Sequence, residues 1–124
     1  MSSTSHDLYV ASLLANFFEA GWAIQVLVSD ANQAQYESSR LARPEVEKHL
    51  RHMAEIARSL PEDARQQMPK VDWDSWMELA DIVPPQDARQ RALVWAVIHA
   101  WLPVTGQELR RYRRQLPQLW SFKL

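Results

Sequence analysis

A chain of 124 residues, 47% hydrophobic and 23% charged, is long enough to bury one core and too short for two. The absence of cysteine excludes disulfides and thiolate metal sites and suits a reducing, cytoplasmic setting. The net charge of −1 hides an asymmetry: residues 1–85 hold 7 Lys/Arg against 13 Asp/Glu, and residues 86–124 hold 7 against 2, so the last third is basic and the rest acidic.

Two Gly against seven Pro, with no Asn-Gly or Asp-Gly turn, argue against sheet and for helices punctuated by proline. Residues 1–6 read as a disordered polar lead-in. After them Val10, Leu13, Leu14, Phe17, Phe18, Gly21, Ile24 and Val28 recur at helical spacing. Leu8 to Val28 is apolar enough to raise a membrane question, but Asn16, Glu19 and Gln25 interrupt it, and a mid-span carboxylate is costly in lipid. Met1 to Asp7 carries no Lys or Arg, which argues against a secretory signal. The expectation is a buried helix, no membrane contact, and a Gly21 that lets another helix come close.

Asp30 to Arg43 is polar and reads as loop or frayed helix. Pro44 suits a first helical turn, and Val46, Leu50, Met53, Ala57 and Leu60 follow in alternating steps of four and three, a narrow apolar seam. Ser59 and Glu62 have capping-box spacing for a short helical piece after Pro61. Asp72 or Asp74 caps a third helix carrying Trp76, Leu79, Ala80 and Val83. Pro84-Pro85 must end it, since the second ring forces its predecessor out of the α region and neither offers an N–H. A fourth helix runs from about Asp87 to Leu102 and is apolar on most of its circumference, as expected of a helix in mid-bundle or against a second chain. Thr105 and Glu108 have capping-box spacing for a fifth, with Leu109, Tyr112 and Leu116 inward and Pro117 ending it.

Three constellations bear on chemistry. Arg110, Arg111, Arg113 and Arg114 surround Tyr112; at helical spacing Arg110, Arg113 and Arg114 share a face that suits phosphate, although the plainer assignment is a solvated helix C-terminus. His49, His52 and Glu55 repeat every three residues, but a metal site needs further ligands from elsewhere, so the bland assignment is a polar helix flank. Arg89 and His99 are the nearby candidates for an acid–base pair; ten positions on a straight helix is about 15 Å of rise, so they could meet only across a dimer interface. No Gly-rich loop or Ser–His–acid arrangement is present, so no catalytic residue, metal or cofactor is assigned.

Val46, Leu50, Met53, Glu55, Ala57, Leu60, Glu62, Arg65, Pro69, Val71 and Trp73 fall on a pattern that resembles the middle of the HepT-like proteins, small helical HEPN-domain toxins paired with minimal nucleotidyltransferases. Val94-Trp95 and Leu102-Pro103 resume the resemblance, which spans roughly residues 8–120. It implies an antiparallel HEPN-like bundle, here expected as four long helices plus a short one, and a homodimer. It also implies an Arg and a His that cut RNA where two subunits meet, and a Tyr that the partner enzyme modifies with AMP. The positions for Arg, His and Tyr are Ala80, Pro85 and Asp87 in this chain. The expectation is therefore a toxin–antitoxin-type protein that has lost ribonuclease activity and acts through dimerisation and a nucleotidyltransferase partner. The alternatives are a ribonuclease using Arg89 and His99, or an RNA-binding module using the Arg110–Arg114 cluster.

Overall fold

The computed structural model describes residues 3–120, which contain helices and no strand. The helices are α1 (Ser3–Val28), α2 (Gln33–Ser38), α3 (Ala42–Ser59), α4 (Glu62–Gln66), α5 (Trp73–Glu78), α6 (Ala88–Ala96) and α7 (Leu102–Gln115). Helix α1 starts at Ser3; Met1 and Ser2, part of the expected lead-in, lie outside the described residues.

Local capping accounts for several boundaries. In the polar stretch before α3, Asn32 accepts from the Gln35 backbone N–H at 2.9 Å while the Gln35 side chain accepts from the Asn32 N–H at 2.9 Å. This reciprocal pair starts α2 where the sequence suggests loop or frayed helix. Asp72 caps α5, its carboxylate accepting from the Ser75 N–H at 3.2 Å and the Ser75 hydroxyl at 2.7 Å. Helix α4 follows Pro61 as expected, but with no side-chain cap, because Ser59 is still inside α3. Helix α5 gives way to a 3-10 turn, Leu79–Asp81, and residues 82–87 are not helical, so Pro84-Pro85 breaks the chain as the sequence requires.

Pro103 behaves differently. The sequence suggests separate fourth and fifth helices, yet α6 runs through a π-helical turn, Val97–Trp101, straight into α7. The Leu102 N–H donates to the Val97 carbonyl five residues back, immediately before the proline. A proline in an α-helix clashes with the carbonyl four residues earlier; the wider π turn inserts a residue and relieves that contact. The Thr105/Glu108 box consequently caps nothing. Thr105 is buried and its hydroxyl accepts the Trp76 indole N–H at 3.0 Å, while Glu108 pairs with Arg111 at 3.4 Å.

The core lies where α1, α3, α5 and the π turn meet. The α3 seam is buried throughout, and Phe17 sits 5.4 Å from both the Trp73 and Trp76 rings, with Trp101 packed edge-on to Trp76. Trp73 is buried, its indole N–H donating to the Met68 carbonyl, whereas Trp95 is half-buried and packs on the edge of the same core against Tyr36. Helices α1 and α3 run antiparallel, Tyr9 lying near Ser59 and Gly21 near Met53. A Cβ on Gly21 would lie 3.1 Å from Leu102, so this glycine does permit close approach.

Gly106, mid-helix in α7, differs: a Cβ there would meet nothing within 4 Å. Gly106→Ala is expected to stabilise the protein by about 1 kcal/mol, the helix-propensity difference, measured as a shift of the urea midpoint at unchanged slope. An unchanged or lower midpoint would mean that the glycine serves something beyond local helix stability.

Candidate functional surfaces

Helix α1 carries large apolar residues on nearly all sides, but only one side is buried. Val10, Leu14, Phe17, Ile24 and Val28 face the core. On the opposite side Leu8, Ser12, Ala15, Glu19, Trp22 and Val26 are exposed, in steps of four and three. Trp22 is 58% exposed and Val26 57%, with Tyr9 and Leu27 exposed on the flank. The expectation of a buried helix thus holds for one side of α1 only. The α6–π segment is the converse: its large apolar residues turn inward or are half-buried, and Arg89, Ala92, Ala96, His99 and Ala100 lie toward the outside. The open apolar surface therefore belongs to α1 and not to the helix that composition points to.

Beside Trp22, a groove separates α1 from α7. Its walls include Phe18, Gly21 and Trp22 from one helix and Gly106, Leu109 and Arg110 from the other, around an empty volume of about 320 Å³ that includes its open mouth. The Arg110 guanidinium lies 5.5 Å from the centre of the Phe18 ring, a cation–π distance. Arg111 is held by Glu108, while Arg113 and Arg114 are exposed. The four arginines therefore do not act as one patch: Arg110 leans on α1 and Arg111 is partnered along its own helix.

A second, polar surface lies at α2, α3 and α6. The His99 ring packs against Trp95 with centroids 4.0 Å apart, Trp95 contacts Tyr36 at 5.4 Å, and Arg91 reaches Glu37 at 4.0 Å. Arg91, Trp95 and His99 are spaced by four, so Arg91, rather than the exposed Arg89, shares the His99 side of the helix. That spacing was the available signal for Arg91. Tyr36 had no such signal, because it joins through tertiary contact. Tyr36 is 2% exposed, yet among the described residues its hydroxyl has no hydrogen-bond partner, and neither has the buried Nε of Arg43. Burial, followed by the Glu47 carboxylate, pushes the Tyr36 phenol well above its usual range.

Burial also raises the Glu47 carboxyl above its ordinary 4.5, with Arg43 opposing. A carboxyl raised in the folded state favours folding while protonated, and that contribution is lost as pH rises through its folded value. Glu47→Gln should therefore melt higher than the parent at pH 7, with the difference vanishing below about pH 4.5. Thermal melts at the two pH values check this; a variant that is less stable at pH 7 would mean that the attraction of Arg43 outweighs burial.

The positions that the resemblance assigns to the Arg, His and Tyr do other work. Asp87 is the N-cap of α6, accepting from the Gln90 N–H at 2.8 Å; Ala80 lies in the 3-10 turn and Pro85 in the break. His49 and His52 stand on the outer side of α3, and Glu55 is engaged by Arg51 at 3.5 Å. Among the described residues no three His, Asp or Glu side chains gather as metal ligands. Comparison with protein-family models, with curated proteins and with solved structures finds no match to this chain.

Proposed function

We propose that this chain is a degenerate HepT-like protein of toxin–antitoxin type, an antiparallel HEPN-like bundle that acts in the cytoplasm as a homodimer and holds a nucleotidyltransferase partner by protein contact, without cutting RNA. The observation that carries this is the outer face of α1, where Leu8, Trp22 and Val26 stand open; it suits protein and offers no cation to phosphate. The local chemistry around the break agrees. Transesterification needs a group to take the 2′-hydroxyl proton and a cation near the phosphate, and Ala80 and Pro85 supply neither. Incubation of purified protein with labelled single-stranded RNA, with and without divalent metal, should give no cleavage above background. Cleavage that copurifies with the protein and disappears in His99→Ala would overturn the proposal.

One observation favours a second reading, RNA binding without turnover. The exposed His99 ring packed at a tilt against Trp95, with Arg91 one turn further along, is a better platform for a base and a phosphate than the divided Arg110–Arg114 cluster. Salt-dependent binding lost in His99→Ala but kept in Arg113→Ala would favour it.

A further inference from the structure

We propose that the groove between α1 and α7 is a binding site for a small aromatic carboxylate with a hydrogen-bonding group at its far end. It needs neither a second copy nor a partner enzyme, because every wall belongs to one chain. The chain has two glycines, and both line this groove. Gly21 lets Leu102 approach, since a Cβ there would lie 3.1 Å from that side chain. Gly106 has no such neighbour: a Cβ would meet nothing within 4 Å. Glycine is a poor helix former, so one kept mid-helix beside open space points to room for something outside the chain.

The polar groups stand at the two ends. At one end Arg110 lies over Phe18. Its neighbour Arg111 takes Glu108, and among the described residues no carboxylate pairs with Arg110. Among the described residues that line the groove Arg110 alone is charged, so the charge to be met is a single anion. A carboxylate matches the planar guanidinium in bidentate fashion. The half-buried Gln25 marks the other end, and its side-chain amide is bonded to no described residue. From Phe18 to Gln25 α1 rises about 10 Å, and from Leu102 to Arg110 α7 rises about 12 Å, which sets the length of the occupant.

Between these ends the lining is apolar. Phe17, Phe18 and Trp22 present rings, and Met53 and Leu109 add aliphatic contact. Rings pack on rings edge-on or offset, which favours an aromatic body over an alkyl chain. A ring seated there also takes from water part of the Trp22 indole, now 58% exposed. The empty volume of about 320 Å³, mouth included, lies at the small end for ligand sites and limits the occupant to a single ring.

The probe is para-hydroxyphenylpropionate, one ring with a carboxylate and a phenol at opposite ends. Titrated into the full protein, it should shift the Gly21 and Gly106 amide signals saturably in a proton–nitrogen correlation spectrum, with half-saturation by about 1 mM. Gly106→Ala assigns the two signals. The neutral amide, para-hydroxyphenylpropionamide, should bind at least about tenfold more weakly, as should the acid to Arg110→Gln, while Arg110→Lys restores part of the loss. Removing the probe's hydroxyl should weaken binding to the parent and not to Gln25→Leu. Gly106→Leu should keep the parent's circular dichroism and lose the probe, read from the Gly21 signal. Equal affinity for acid and amide on the parent protein, where no variant is involved, would overturn the proposal. So would full binding by Gly106→Leu, or glycine signals that do not move. A hydroxyl effect that survives in Gln25→Leu would overturn the assignment of the far end.

Discussion

Trp76→Ala should lower the stability of this protein by about 3–5 kcal/mol, enough to leave much of the chain unfolded at physiological temperature. Trp76 is 1% exposed and the largest of the fully buried side chains. It meets Phe17 of α1 edge-on at 5.4 Å and Trp101 of the π turn at 6.2 Å, so a single ring joins three segments distant in sequence. Truncation removes the transfer free energy of the indole and leaves a cavity that Phe17 and Trp101 cannot both fill without losing their own packing. In a domain of this size the corresponding fall in melting temperature is on the order of 15 °C. Trp22→Ala is the control, since Trp22 is 58% exposed. A Trp76→Ala protein that melts with the parent would mean that the junction of α1, α5 and the π turn is not the core.

Thr105→Val is expected to cost about 1–3 kcal/mol although the two side chains have nearly the same shape. Thr105 is 6% exposed and its hydroxyl accepts the Trp76 indole N–H at 3.0 Å, a buried bond between residues 29 apart. Valine leaves that donor inside the protein without a partner, and the penalty is its desolvation rather than the small net worth of the bond. Thr105→Ser keeps the oxygen and should lose less. A double-mutant cycle with Trp76→Phe separates this bond from packing: once the indole is gone, Thr105→Val should cost little. Denaturant midpoints of the four proteins give the coupling, and a coupling near zero would assign Thr105 to packing alone.

Thr105 also shows where sequence reasoning stops. With Glu108 it has the spacing of a capping box, and Pro103 two residues earlier makes a helix start look natural. The cap geometry never forms, because the helix is already under way at Thr105 and its hydroxyl accepts the Trp76 indole. Pro103 reads as a boundary because its ring excludes ordinary α geometry; the π turn at Val97–Trp101 gives the chain another way through. The Pro84-Pro85 break has no such outlet, since both N–H groups are missing in succession, and it stands as the sequence implies.

The candidate surfaces divide in the same manner. The four arginines 110, 111, 113 and 114 are visible as a charge cluster, but their different engagements, with Phe18 for Arg110 and Glu108 for Arg111, depend on α1 lying alongside and on local side-chain pairing. The sequence pairs His99 with Arg89; packing of α2 against α6 instead gathers Arg91, Trp95 and Tyr36 around it.

By itself the sequence determined the all-helical class, the buried α3 seam from Val46 to Leu60, an aspartate cap at Asp72 or Asp74 and the Pro84-Pro85 break. Each of these depends on backbone dihedrals, donors and apolar spacing within a few residues, so the local chain is sufficient cause. Only the tertiary structure decided that Trp22 and Val26 of α1 stay outside, that Thr105 turns to Trp76, and that Trp95 lies half-buried at the edge of the core beside Tyr36 and His99. Ser12, Asn16 and Glu19 mark an outer side of α1, but large apolar residues stand on that side as well as on the other. A rigid helix cannot turn both to the core at once; the neighbours α3, α5 and α7 cover one side, and what remains stays open.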